Sequence, residues 1–119
     1  MPDPEANLTV STQEKVCVVE FEDRKILEEL VINQIQEKLT EVISAQTPPR
    51  ILLSFRKVEH LSSAALGVLI TVSKQVTERH GRLVLANIHP RIFEVFKITR
   101  LDKLFTICGT TDEALRQFN

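Results

Sequence analysis

The segment that decides the fold spans residues 51–80 and reads ILLSFRKVEHLSSAALGVLITVSKQVTERH. Its first five residues are almost entirely apolar, which is typical of a short strand covered on both faces of a sheet. Beyond Ser62 the apolar residues recur at the spacing of one helix face. They are Ala65, Leu69, Val72 and Val76. A buried strand followed by an amphipathic helix predicts one unit of an α/β sheet.

The ends and the middle of this helix carry residues with known preferences. Ser62 is a favoured N-cap residue, and Gly81 follows His80, where glycine commonly ends a helix. Gly67 lies inside the helix, where glycine costs about 1 kcal/mol relative to alanine. We expect close packing of the helix against the sheet to explain it.

The chain before this segment predicts a hairpin and a helix. Residues 8–10 and 16–21 predict two strands joined by a turn at 11–14. Residues 26–43 then show helical periodicity, with Asp23 as a plausible cap and Pro48-Pro49 closing the segment. The predicted buried face of this helix comprises Leu27, Leu30 or Val31, Ile35, Leu39 and Val42.

The chain after this segment continues the alternation of strands and helices. It predicts a strand at 82–88, a helix that opens at His89-Pro90, a strand at 104–108 and a helix at 113–118. Alternation implies a largely parallel sheet with crossover helices. The sequence therefore predicts an α/β fold: an N-terminal hairpin and a mixed sheet of about five strands with about four helices. Residues 8–119 would form one domain after a flexible lead at 1–7.

Composition excludes several classes of function. The 119 residues suit one domain, and a net charge of −1 without Trp or Tyr argues against a nucleic-acid partner. The N-terminus lacks the features of a signal peptide, and no apolar run approaches the roughly 18 residues of a membrane span. Cys17 and Cys108 lie in apolar runs without metal-ligand spacing, so we expect reduced thiols in strands. A cytoplasmic protein without cofactor or metal is expected.

Two stretches resemble the STAS family, the domain of bacterial anti-sigma factor antagonists. Residues 51–69 are similar to the family's strand-loop-helix segment, in which an Asp-Ser-Ser/Thr-Gly-Leu sequence opens the helix. Residues 81–91, continuing at 99–105, follow the family pattern nearly residue for residue and include its Leu-Asp-Lys-Leu-Phe sequence. The hairpin and the first helix agree with the family in order only.

The resemblance implies a phosphorylation-controlled partner switch. In the family, an anti-sigma factor with a histidine-kinase-like ATPase fold phosphorylates a serine or threonine at the helix start, and the modified domain releases it. The aligned acceptor is Ser63, with Ser62 as a less favoured second acceptor because its hydroxyl is expected to cap the helix. The implied partner-binding surface comprises His60, Ser62, Ser63, Ala64, Ala65 and Leu66.

Three departures from the family pattern keep an alternative open. Ser62 and Ser54 replace two aspartates, and Ala64 replaces the second serine or threonine. Ser62 preserves the capping role of aspartate but removes its charge. The missing carboxylates favour a second hypothesis, a constitutive STAS scaffold or accessory subunit of a stress-signalling assembly or lipid-transport complex. The two serines could also be no more than capping residues.

Catalysis is not predicted. A catalytic site needs a nucleophile with a base, or paired carboxylates in a pocket. His60 and Ser63 are the one enzyme-like pair in the sequence, and they lack a recognisable orienting acid and oxyanion-hole motif. We therefore predict a binding module and not an enzyme. The pathway, any small ligand and the oligomeric state stay open.

Overall fold

Five strands form one mixed sheet in the computed structural model, which describes residues 7–118. In spatial order they are β1 (Leu8–Gln13), β2 (Val16–Phe21), β4 (Arg50–Ser54), β6 (Arg82–Ala86) and β7 (Thr106–Cys108). β1 and β2 are an antiparallel hairpin, and each later pair is parallel. The short strands β3 (Lys25–Ile26) and β5 (His60–Leu61) pair separately.

Four helices connect or follow these strands. They are α1 (Glu29–Ser44), α2 (Ser63–Glu78), α3 (Pro90–Ile98) and α4 (Thr111–Arg116), with a 3-10 turn at Leu101–Lys103. The parallel strands are added along one direction of the sheet, so right-handed crossovers place α1, α2 and α3 on the same face. The predicted α/β fold with an N-terminal hairpin, five-stranded mixed sheet and four helices is confirmed.

The sheet separates a large core from a small one. Side chains alternate between the two faces of a strand, so neighbours in β4 enter different cores. Leu53 packs beneath the helices with Leu39 and Val72, whereas Leu52 faces Ala114 and Leu115 of α4. Both β4 leucines are fully buried, which explains the unbroken apolar run of this strand.

The start of every helix lies at one edge of the sheet. β2, β4, β6 and β7 run parallel, so their carboxyl ends meet at the same edge, and a helix begins after each of them. In open α/β sheets, ligands bind outside the carboxyl ends of the strands. The candidate residues around Ser62 and Ser63 lie there.

The first helix begins later than predicted. Asp23 does not cap it: Glu28 holds the N-cap position without a side-chain hydrogen bond, and the carboxylate of Asp23 instead accepts from the amide of Asn7 (Nδ2 to Oδ1, 3.0 Å). Residues 25–26 are extended because they pair with β5. Leu27 therefore precedes the helix and is half exposed, which corrects its predicted core position. The rest of the predicted flexible lead, residues 1–6, lies outside the described residues.

Gly81 follows the end of α2 as predicted but is not its left-handed residue, and the predicted packing role of Gly67 was wrong. The left-handed residue after α2 is His80 (φ 59°), and Gly81 has no positive φ. A Cβ on Gly81 would lie 2.2 Å from the carbonyl oxygen of Pro49, so glycine is needed here for room. Gly67 is exposed, and a Cβ there would meet nothing within 4 Å. Close packing on the sheet does not explain it.

A polar network joins the carboxyl ends of β4 and β6 to α4. Ser54 is buried (3% exposed). Its hydroxyl accepts a hydrogen bond from the amide of Asn87 at 3.0 Å, and the same amide nitrogen donates to the hydroxyl of Thr111 at 2.9 Å. Asn87 adopts φ 60°, a conformation that asparagine tolerates better than most residues. Ser54 therefore has a structural role in this chain.

Replacing Asn87 with glycine is expected to lower the free energy of unfolding by about 1–3 kcal/mol, because two hydrogen bonds to buried or half-buried hydroxyls are lost. Glycine keeps the left-handed backbone accessible, so strain does not contribute. Urea unfolding would measure the loss. In the matched control, Ser54→Ala should cost less in the Asn87→Gly background than in the wild type. If Ser54→Ala lowered the free energy of unfolding equally in both backgrounds, the hydrogen-bond network would be contradicted.

Candidate functional site

Ser62 caps helix α2 as the sequence predicted. Its extended backbone (φ −81°, ψ 165°) precedes the first helical residue, and its Oγ accepts a hydrogen bond from the backbone N–H of Ala65 at 3.2 Å. Its own N–H donates to the carbonyl oxygen of Ile26 at 3.1 Å. The hydroxyl of Ser62 is therefore engaged, and the helix starts at Ser63.

Exposure divides the predicted binding residues into two groups. Ser63, Ala64 and His60 are exposed, and Ser62 is half-buried. Ala65 and Leu66 are 6% and 8% exposed and belong to the large core. The exposed and half-buried residues can contact a partner, whereas Ala65 and Leu66 pack beneath them in the core. Within residues 7–118, the hydroxyl of Ser63 has no hydrogen-bond partner.

The exposed serine borders a shallow groove between α1 and α2, the α1–α2 groove. One wall carries Glu29 and Asn33 of α1; the other carries Ser63, Ala64 and Gly67 of α2. Near the start of α2 this wall carries the small side chains of Ser63, Ala64 and Gly67, so a partner can approach the backbone closely there. The first turn of α2 contains no acidic residue, so no charge within that turn offsets the positive end of the helix dipole.

Backbone hydrogen bonds fix the loop that delivers Ser62 to this position. The carbonyl oxygen of Arg24 accepts from the N–H groups of Glu59 (2.8 Å) and His60 (3.1 Å), and β3 pairs with β5 directly behind them. Val58 is fully buried beneath the loop. Residues 22–26 and 56–62 thus form one unit, the β3–β5 clasp.

Ion pairs join the two segments of the β3–β5 clasp to each other and to β2. The guanidinium of Arg24 pairs with Glu59, Lys57 pairs with Glu22, and Arg56 pairs with Glu20 of β2 at 2.8 Å. The hydrogen bond from Lys57 holds the pKa of Glu22 below its ordinary value, and the one from Arg24 does so for Glu59. The pairs are largely exposed, so each contributes little alone.

Acid is expected to loosen the clasp before the core unfolds. The pKa values of Glu22 and Glu59 are lowered in the folded chain, so their contribution is present above their ordinary value of 4.5 and is lost as pH falls through the lowered values. The backbone amide resonances of His60 and Ser62 should shift in NMR spectra over that acidic range. In the Glu22→Gln/Glu59→Gln variant the shift should disappear. If the amide resonances shifted equally in this variant, protonation of Glu22 and Glu59 would not be their cause.

The other chemistry-bearing side chains form no second centre in the described part of the chain. Among residues 7–118, no cluster of His, Cys, Asp and Glu side chains could hold a metal ion. Cys17 is buried, Cys108 is half-buried, and both are free thiols. Burial raises the pKa of each thiol, which favours the protonated and unreactive form.

The family model of the STAS domain matches residues 7–114, which includes the whole sheet, α1, α2 and α3, and the clasp. The chain belongs to the STAS domain family.

Curated relatives agree with this assignment. BtrV of Bordetella bronchiseptica, named for a suggested role as an anti-sigma factor antagonist, is 31% identical over 85 residues, 69% of this chain and 73% of BtrV. A Thermotoga neapolitana protein, a TM1081 homologue whose name also gives it as an anti-sigma factor antagonist, is 35% identical over 68 residues, which are 57% of this chain and 60% of that protein.

A solved STAS domain protein of Planctomyces limnophilus, titled as an anti-sigma factor antagonist, superposes with a TM-score of 0.85. It covers 96% of this chain and 98% of its own, at 24% identity, and therefore shows the fold alone. SpoIIAA of Bacillus in its phosphorylated form gives a TM-score of 0.71 at 19% identity, covering 95% of this chain and all of that one. None of the helices described in this STAS domain is both long and apolar enough to cross a membrane.

Sequence reasoning missed the residues that surround the helix start in space. The clasp residues Arg24 and Glu59 are 35 positions apart, and no local pattern predicts their pairing. Leu27, which the helical periodicity places on the buried face of α1, and Val95 of α3 are 50% and 42% exposed. The misleading signal at Leu27 is an apolar residue at the margin of a helical stripe.

Proposed function

We propose that this STAS domain is an anti-sigma factor antagonist that binds an anti-sigma factor through the exposed start of α2, and that phosphorylation of Ser63 releases the partner. The observation that carries the proposal is the pair of serines at this helix start: Ser62 is committed to capping, while the hydroxyl of Ser63 is exposed and unengaged. The names of BtrV and of the Thermotoga neapolitana relative support the role.

The local geometry suits a reversible charge switch. A phosphate on Ser63 would carry about −1.5 to −2 charges at pH 7 and would stand beside the free N–H groups of the first turn of α2. Such a helix start stabilises a nearby anion, so the domain can accept the modification without unfolding. A partner seated on Ser63 and Ala64 would instead have to bury a dianion, which is costly. The modification therefore acts on the complex and not on the fold.

The partner we propose is an anti-sigma factor with a histidine-kinase-like ATPase fold, in the cytoplasm. Such a protein would act both as the binding partner and as the kinase, using ATP to phosphorylate Ser63. This STAS domain itself would act by binding and not by catalysis. SpoIIAA, which shares the fold, has been solved in both phosphorylated and unphosphorylated forms.

Mass spectrometry tests the modification directly. The purified chain would be incubated with ATP and the anti-sigma factor kinase of the same genome, and the phosphate would be located by peptide mapping. We expect phosphate on Ser63 and none in the Ser63→Ala variant. Ser62→Ala, which loses the cap but keeps the acceptor, should still be modified. Phosphate confined to Ser62, or absent despite a stable complex, would overturn the switch.

A constitutive scaffold or accessory subunit is the second candidate function. It is favoured by Ser54, which is occupied in the polar network with Asn87, and by the absence of an acidic residue in the first turn of α2. Neither family carboxylate is therefore present to assist a kinase. Under this alternative, partner affinity would be the same for the wild type and for Ser63→Asp.

A further inference from the structure

A second groove lies beside the start of α2, between β5 and α3. We call it the β5–α3 groove. Its floor is apolar, formed by Leu61, Leu66 and Ile92, and its walls are the side chains of Leu27 and Val95. These two walls are 50% and 42% exposed, although both are large apolar residues. One turn further along α3, Ile98 is also a large apolar residue and is 79% exposed.

The size of the β5–α3 groove suits a side chain of a partner protein. Its volume is about 250 Å³, below the roughly 300–1,000 Å³ of pockets that enclose small molecules. Protein interfaces are commonly anchored by one bulky apolar side chain that fills such a pocket and is shielded by its neighbours. The groove is therefore of a size to hold one anchoring side chain.

The rim of the β5–α3 groove is positively charged. Arg91 is exposed, and its guanidinium has no ion pair among residues 7–118. His60 lies on the same rim, while the rim carboxylate of Glu59 is already neutralised by Arg24. An acidic group on a partner would thus find a free cation beside an apolar pocket. A basic partner would find no free carboxylate on this rim.

We propose that the β5–α3 groove binds an acidic amphipathic segment of the anti-sigma factor. The segment would insert one bulky apolar side chain between Leu27 and Val95 and place a carboxylate against Arg91. Leu27 also lines the α1–α2 groove, so a protein seated on Ser63 reaches both grooves at once. This inference rests on the proposed function and adds a second contact that phosphorylation does not modify.

Affinity measurements on surface variants test the second contact. The probe is the purified anti-sigma factor of the same genome, and binding is measured by isothermal titration calorimetry. We expect Arg91→Glu and Val95→Asp each to weaken binding at least tenfold. The matched controls are Arg79→Glu, an exposed arginine at the opposite end of α2, and Val10→Asp, a 51% exposed valine on β1. Both controls should bind as the wild type does, and unfolding curves verify that each variant is folded.

The outcomes separate this inference from the proposed function. If the wild type does not bind the anti-sigma factor, the proposed function fails and the inference fails with it. If the wild type binds and Ser63→Asp does not, while Arg91→Glu and Val95→Asp retain full affinity, only the groove inference is overturned.

A photo-crosslinking residue at position 95 would identify the occupant. We expect crosslinks to an apolar residue within an acidic segment of the anti-sigma factor. Crosslinks to a second copy of this chain, or to a basic segment, would overturn the inference.

Discussion

Replacing Ser63 with aspartate is expected to weaken the complex with the anti-sigma factor at least tenfold, and phosphorylation of Ser63 about a hundredfold. A hundredfold loss corresponds to about 2.7 kcal/mol. Burying a charge against a partner without a matching cation costs that much or more. Aspartate carries one charge on a shorter side chain, so its effect should be smaller. Calorimetric titration of the anti-sigma factor with each form would measure the difference.

The neighbouring serine supplies the control for this prediction. Ser63→Ala keeps the surface neutral and small, so it should bind as tightly as the wild type. Ser62→Ala removes the N-cap and should cost about 1 kcal/mol of stability while leaving the affinity of the folded domain nearly unchanged. If Ser63→Asp binds as the wild type does, the charge switch is wrong and the scaffold alternative is favoured.

Replacing Gly81 with alanine is expected to destabilise the fold by about 3 kcal/mol, the upper part of the usual range for overpacking. The added Cβ would lie 2.2 Å from the carbonyl oxygen of Pro49 and 2.6 Å from its ring. That same carbonyl accepts the N–H of Arg82 at 2.9 Å, next to the first pair of the β4–β6 register, Arg50 with Arg82. The backbone must therefore move where two central strands begin. Urea unfolding would measure the loss.

The other helix-associated glycine gives a control of opposite sign. Gly67→Ala places a methyl group in open space on an exposed face of α2, so the fold should be stabilised by up to about 1 kcal/mol. The two substitutions are chemically identical and differ only in their surroundings. A Gly81→Ala variant as stable as the wild type would show that the Pro49 segment adapts without cost.

The parts of the fold that were predictable are those encoded by neighbours in sequence. The apolar run at 51–55 and the stripe on α2 predicted a buried strand and a helix, and both are confirmed. Ser62 caps the helix because a capping serine needs only the residues of the following turn. Local chemistry decided each of these outcomes, so the sequence alone was sufficient.

The parts that were not predictable depend on residues far apart in the chain. Asp23 has the right chemistry for a cap, but residues 25–26 pair with β5 and postpone the helix to Glu29. The sequence does not reveal why a glycine occupies a given position. Gly81 is required because Pro49, 32 positions earlier, leaves no room for a Cβ, whereas no contact in the fold requires glycine at Gly67. The same limit applies to the site, where the clasp and the β5–α3 groove are assembled from separate segments.

The order of strands in space also bears on how the chain is made. From β1 to β2, β4, β6 and β7, each new strand of the main sheet is added to the edge left by the previous one. No strand has to be inserted between two that are already paired. The sheet can therefore extend in step with synthesis as the polypeptide leaves the ribosome, and α4 covers the second face only after β7 has been made.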